Sequence, residues 1–208
     1  TFTLVLEYDV KLPDSRFTRY GFDGKGNFIL KNWYLTPARF ENGSFVKYSN
    51  ENLDDIANDV CDYTVKLDVP AGAAVSTDLE QVNKSVQQFV DTYTFYGKGR
   101  MEFNMMLQRD NTFETYRNHY VEVTSNLADK RLTDIQKALI ADEIIKFTHE
   151  QLGDFPHARI MVSQVDYERN PLYGLNQLPF NLSPFPDTFV YELKFLKTYL
   201  GAFLRNSL

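Results

Sequence analysis

Cysteine is nearly absent: Cys61 is the one cysteine among 208 residues, which excludes an intramolecular disulfide and a zinc site built on cysteines. No apolar run approaches the roughly 20 residues that a membrane-spanning helix needs, and no secretory leader pattern is present. Positive charge is also scarce. Lys and Arg number 22 against 28 Asp and Glu, the net charge is −6, and no basic cluster is interleaved with aromatics. A phosphate-backbone partner is therefore not expected, which removes nucleic acid from the partner classes and leaves peptide or protein.

The usual catalytic signatures are missing as well. There is no Gly-x-Ser-x-Gly elbow. Gly24-Lys25-Gly26-Asn27 and Gly97-Lys98-Gly99 lack the strand-to-helix setting of a phosphate loop, and both read as turns. Histidine occurs three times, at His119, His149 and His157. His149-Glu150 is the one His-Glu pair, but Gly153 stands where a second metal-binding His would be needed, so a helix-end role is expected. His119 is expected in a strand and His157 follows Pro156, with no reason for the three to converge. Asp54, Asp55 and Asp59 lack the spacing of a calcium loop, and the acidic stretch 50–59 reads as solvated.

Aromatic residues, by contrast, are plentiful at 15 %, with 17 Phe and 13 Tyr, a composition that favours strands. Phe2, Leu4, Leu6, Tyr8 and Val10 alternate with Thr3, Val5, Glu7 and Asp9, the period of a half-buried strand. Tyr63, Val65, Leu67 and Val69 do the same until Pro70 stops them. Met101, Phe103, Met105 and Leu107 repeat the pattern, and Arg109-Asp110-Asn111 then reads as a hairpin turn into a strand through Tyr120, Val121 and Val123. After Asn126 the pattern changes. Thr133-Asp134-Ile135-Gln136 has capping-box spacing, followed by an apolar helical face of Ile135, Leu139, Ile140, Ile144, Phe147 and Leu152, with Gly153 and Pro156 as the stop. A strand over 159–165, a Pro-rich loop and a helix from Asp187 complete the chain. The expected organisation is a β-rich domain over 1–127, then an α/β segment over 128–208, with no internal repeat. Thr1 already lies in a strand pattern and Leu208 closes on an apolar helix, so a piece of a longer protein is expected. The compartment stays open, with export to a periplasm among the options.

The last helix bears the sharpest question. At about 100° per residue, Phe189, Leu193, Leu196, Leu200 and Phe203 form one stripe, and Tyr191, Phe195 and Tyr199 a second about 120° away. Lys194, Lys197, Thr198 and Arg205 are expected to face water. Glu192 falls between the apolar stripes, where a carboxylate needs either a partner from another element or a cavity. Two readings stand: an ordinary core helix with one awkward Glu, or a helix descended from a catalytic one.

Gly153-Asp154-Phe155-Pro156, the strand Ile160-Met161-Val162 and the segment Tyr173-Gly174-Leu175-Asn176-Gln177-Leu178-Pro179 together resemble the entry to the catalytic domain of aminopeptidase-N-like (gluzincin) zinc metallopeptidases. Asn32-Trp33-Tyr34-Leu35-Thr36-Pro37 and the run from Asp62 to Pro70 are similar to that family's saddle-shaped N-terminal β domain, in the manner of its divergent bacterial members. The resemblance implies an antiparallel saddle or sandwich followed by the opening of a thermolysin-like domain. It also implies a zinc ion in the family, held by an HExxH helix and a later Glu, and a Gly-x-Met-Glu segment that holds a substrate amino group.

The departures decide what is implied for this chain. Laid on HExxH, Tyr191-Glu192-Leu193-Lys194-Phe195 keeps the Glu as a vestigial general-base position and replaces both His. Gly174, Asn176 and Gln177 lie on the amine-binding segment, with neutral Gln177 in place of its Glu. No metal site and no cofactor are expected in this chain, and no hydrolysis. The alternatives are an active zinc aminopeptidase whose HExxH lies beyond residue 208, and a β module that binds another protein by strand pairing.

Overall fold

A computed structural model describes residues 3–31, 33–47, 58–169 and 186–207. The segments 48–57 and 170–185, which hold most of the acidic stretch and all of Gly174, Asn176 and Gln177, lie outside the described residues. The architecture is mainly antiparallel β sheet, with the long helices gathered towards the C-terminus.

The first half builds two sheets and a small hairpin. A one-turn helix α1 (Ser15–Thr18) leads into β1 (Gly21–Phe22) and β2 (Phe28–Leu30). Asp23 closes the turn between them, its carboxylate accepting from the Lys25 and Asn27 backbone amides, so Gly24 and Gly26 are turn residues as expected. The hairpin is β3 (Phe40–Glu41) with β4 (Ser44–Phe45). Then come β5 (Cys61–Pro70), β6 (Ala74–Thr77), β7 (Glu80–Val86), β8 (Val90–Arg100) and β9 (Met105–Gln108). One sheet has the order β1-β2-β9-β6 and the other β5-β8-β7. They share a core of Leu30, Val69, Leu79, Tyr93, Phe95, Phe103 and Met105. The alternation of β5 follows the expected period, with Tyr63, Val65, Leu67 and Val69 turned to this core and Pro70 its last residue.

The second half has its own core. Here β10 (Glu114–Arg117) and β11 (Glu122–Ser125) form an antiparallel pair. Helix α2 (Asp134–Leu152) then carries the chain to β12 (Arg159–Val162), which pairs with β11 in parallel. Parallel neighbours require such a crossover, and a helix provides it. A short α3 (Gln164–Arg169) precedes α4 (Asp187–Ser207). The capping box is present: Thr133 Oγ1 accepts from the Gln136 amide and Gln136 Oε1 accepts from the Thr133 amide. Val121, Val123, Ile144, Ile145, Ile160, Val162, Tyr191, Phe195 and Tyr199 fill the space between this sheet and the two helices.

Several local expectations are corrected. Residues 3–13 form no ladder, and Leu4, Val5, Leu6, Tyr8 and Val10 are exposed, Val5 by 85 %. Alternation reveals which side chains share a face but does not supply the neighbouring strand. Gly97-Lys98-Gly99 is no turn between elements; it lies inside β8. Gly97 is there because Leu79 occupies the position of a side chain, with Cδ2 only 2.4 Å from where a Cβ would sit. Gly99 has φ +61°, and its amide donates to Asp62 Oδ1. The turn at 109–111 links two different sheets instead of closing a hairpin, and Tyr120 and Val121 precede β11. The strand expected over 159–165 ends at Val162, where Ser163 bonds Asp166 and starts α3. On α2, Ile135, Leu139, Phe147 and Leu152 are exposed, and the buried face is Ala141, Ile144, Ile145 and Thr148 with Lys137.

Candidate functional site

Helix α4 begins at Asp187, whose carboxylate meets Arg131 at 2.6 Å, and Arg131 also pairs with Asp129. Charge at this end therefore ties the helix to the loop before α2, with an acidic residue favourably placed in the first turn. The side chains that follow divide sharply. Tyr191 and Phe195 are both 0 % exposed. Phe195 meets Tyr116 edge-on at 6.3 Å and stacks with Tyr199 at 5.8 Å. Burial pushes the Tyr191 phenol above its ordinary pKa, the opposite of what a metal-binding phenolate requires. The i, i+4 pair that would carry two metal ligands is therefore packed into the core of the second half.

Glu192, next in the chain, is exposed. The more buried stripe of α4 is Tyr191, Phe195 and Tyr199, whereas Phe189 is exposed and Leu193, Leu196 and Leu200 are half-buried. Lys197 and Thr198, expected in water, are buried. Lys197 lays its stem along the protein with Nζ 5.0 Å from the centre of the Tyr167 ring, and burial lowers its pKa. Thr198 Oγ1 donates to the Lys194 carbonyl.

The three histidines stay apart in role. His119 lies in the bend between β10 and β11, not in a strand, and packs on Tyr120. His149 sits at the end of α2, packs on the same ring and pairs with Asp154 at 2.9 Å, in keeping with a helix-end role. His157 packs edge-on to Phe155 and is held neutral, its pKa lowered to about 4 by burial and by the Arg100 cation. Among the described residues no group of three or more His, Cys, Asp or Glu is placed to hold a metal ion.

The sequence gives little sign of a buried polar seam between the two cores. The corner between β6 and β7 presents two successive carbonyls to two arginines. Arg100, at the end of β8, donates from Nη2 to the Asp78 carbonyl at 2.9 Å. Arg159, on β12, donates to the Leu79 carbonyl at 3.3 Å and pairs with Glu122 at 2.5 Å. Asp78, Arg100 and Glu102 are all buried. Burial raises the Asp78 carboxyl to about 6 despite the Arg100 cation and the Asn104 amide, which favour its ionised form. Charged residues in strand-end positions look solvated in a sequence, and only the meeting of three sheets buries these.

No protein-family model matches the chain, and no curated protein matches it. Among solved structures it is similar, distantly, to an M1 zinc metallopeptidase from Deinococcus radiodurans. The TM-score is 0.35 and the identity 13 %, over 51 % of this chain and 27 % of that one. A two-domain M1 zinc metallopeptidase variant bound to L-arginine is similar at TM-score 0.34 and 13 % identity, over the same shares. The chain thus spans about a quarter of the length of these structures.

Proposed function

We propose that this chain is the non-hydrolytic β-rich portion of a protein related to the aminopeptidase-N-like metallopeptidases, retained for binding peptide or protein instead of cleaving it. One observation carries the reading: the side chains at the two ligand positions of α4, Tyr191 and Phe195, are core residues with no exposed surface. A metal-bearing helix must turn that i, i+4 pair towards an accessible ion. This helix turns it into an aromatic cluster with Tyr116 and Tyr199. Glu192 is then the remnant of a general-base position, exposed and without a metal-bound water to activate. Gly174, Asn176 and Gln177 would line the former amine site, where a neutral amide attracts no ammonium.

The domain division belongs to the same proposal: a β-rich domain over 1–127 and the opening of a thermolysin-like domain over 128–208, with β10 and β11 lending two strands to the sheet of the second. Incubation of the purified chain with aminoacyl anilides and added zinc tests the reading. No turnover is expected, and zinc-dependent release of the aniline would overturn it.

A second reading is favoured by a different feature. Strand β7 is a sheet edge whose seven residues are all exposed, and an edge of this kind can take up an extended segment of another protein by backbone pairing. On that reading residues 1–127 fold alone and keep the partner. Loss of binding on truncation after residue 127 would sink it.

A further inference from the structure

The two sheets of the first half leave the space between them open at one end. The cleft there has a volume of about 260 Å³. Its walls are the side chains of Phe28, Val69, Ala73 and Leu107, and its mouth is formed by Gly72, Gln108 and Arg109. Among the described residues no side chain closes the opening at Gly72. Gly72 has φ +84°, and a side chain built on it would meet no atom within 4 Å. Gln108 is turned to Thr112, donating to its hydroxyl at 2.9 Å and accepting from its amide. The Arg109 backbone is pinned by Asn27, whose Oδ1 accepts from the Arg109 amide at 3.1 Å.

The carboxylates near the mouth are engaged elsewhere or stand apart from Arg109. The Asp23 carboxylate is taken up by the Lys25 and Asn27 amides and by Asn27 Nδ2. Asp91, behind Gly72, accepts from the Gly72 amide and faces Lys84 at 3.8 Å. The exposed Asp110 that follows Arg109 forms no ion pair with it. Among the described residues Arg109, one of the residues lining this apolar space, forms no ion pair with a carboxylate. A planar, forked cation in that position matches a carboxylate head group.

We propose that this cleft binds a medium-chain carboxylate, with the alkyl tail between the sheets and the head group on Arg109. A space of this size admits an alkyl tail of several carbons. Neutral and cationic amphiphiles of the same length lack the head-group contact. The proposal is independent of the peptidase lineage.

An amide NMR titration of the 208-residue chain with hexanoate, octanoate and decanoate tests it, with octanol and octylamine as controls. Saturable shifts are expected at 71–73 and 107–109. Affinity should rise about fourfold per methylene until the cleft is full, as about 0.8 kcal/mol for each buried CH₂ requires. Arg109→Gln, at an exposed position, should weaken octanoate at least about tenfold and leave octanol unchanged. Octanol or octylamine binding as tightly as octanoate, an unaltered Arg109→Gln variant, or shifts that do not saturate at those residues would each overturn the assignment.

Discussion

Tyr191 and Phe195 stand four residues apart on α4, a spacing that would let two donors share one ion, and both are fully buried. Truncation there removes aromatic contacts from a close-packed interior. Phe195→Ala is expected to cost about 3–5 kcal/mol in denaturant unfolding, whereas Glu192→Gln, at an exposed position, should stay within about 0.5 kcal/mol. A large loss from Glu192→Gln would show a paired structural carboxylate instead. Placing histidines at 191 and 195 tests the same residues chemically. The doubly substituted chain should be destabilised and should take up no stoichiometric zinc, because the new imidazoles point into the core. Zinc binding with restored stability would mean that this face can open.

At the scale of elements, the strongest local signals are those that satisfy their own chemistry. The capping box at Thr133 needs only its own four residues, and Thr133→Ala should lower the unfolding free energy by about 1 kcal/mol. The strand from Tyr63 to Val69 was legible because one face is apolar throughout and Pro70 ends it. What needed a distant neighbour was not legible. The alternation from Phe2 to Val10 implied a ladder, and no strand is paired with residues 3–10. On α2, the apolar stripe was counted by residue type, but the buried face includes Ala141, Ile145 and Thr148, which count as weakly apolar or polar by type or fall off that stripe. Lys137 is buried there because Glu114 and Asp134 hold its ammonium at 3.3 and 2.9 Å. Gly97 is a further case, since a glycine chosen to admit Leu79 looks like a turn residue in sequence. Gly97→Ala should cost about 1–3 kcal/mol by overpacking Leu79, measurable as a fall in Tm. Unchanged stability would show that Leu79 can shift.

At the scale of the whole molecule, the seam where Arg100 and Arg159 grip the Asp78–Leu79 corner joins the two cores, and it carries two titrations of opposite sign. The Asp78 carboxyl is raised from 3.8 to about 6 by burial, so protonation favours the folded state. Its contribution to stability therefore grows as pH falls from about 6 to about 4, on the order of 2–3 kcal/mol in full. His157 is lowered from 6.5 to about 4, so charging it opposes folding, and its contribution is lost as pH falls through that window. The two trends offset each other in the native chain. Asp78→Asn should leave stability falling more steeply between pH 6 and 4, and His157→Gln should leave it rising as acid is added. Parallel pH profiles for the two variants would refute this opposition.

That Tyr191, Glu192 and Phe195 share one helix was legible by the same logic. The burial of the pair at 191 and 195 depends on packing against strands β10 to β12 and Tyr116, which no local pattern reveals. Whether α4 is a core helix without a metal is read most directly from the zinc content of the chain, purified without chelator from zinc-replete cells. No stoichiometric zinc is expected. One tightly held zinc ion per chain, with aminopeptidase activity that chelation abolishes, would contradict it.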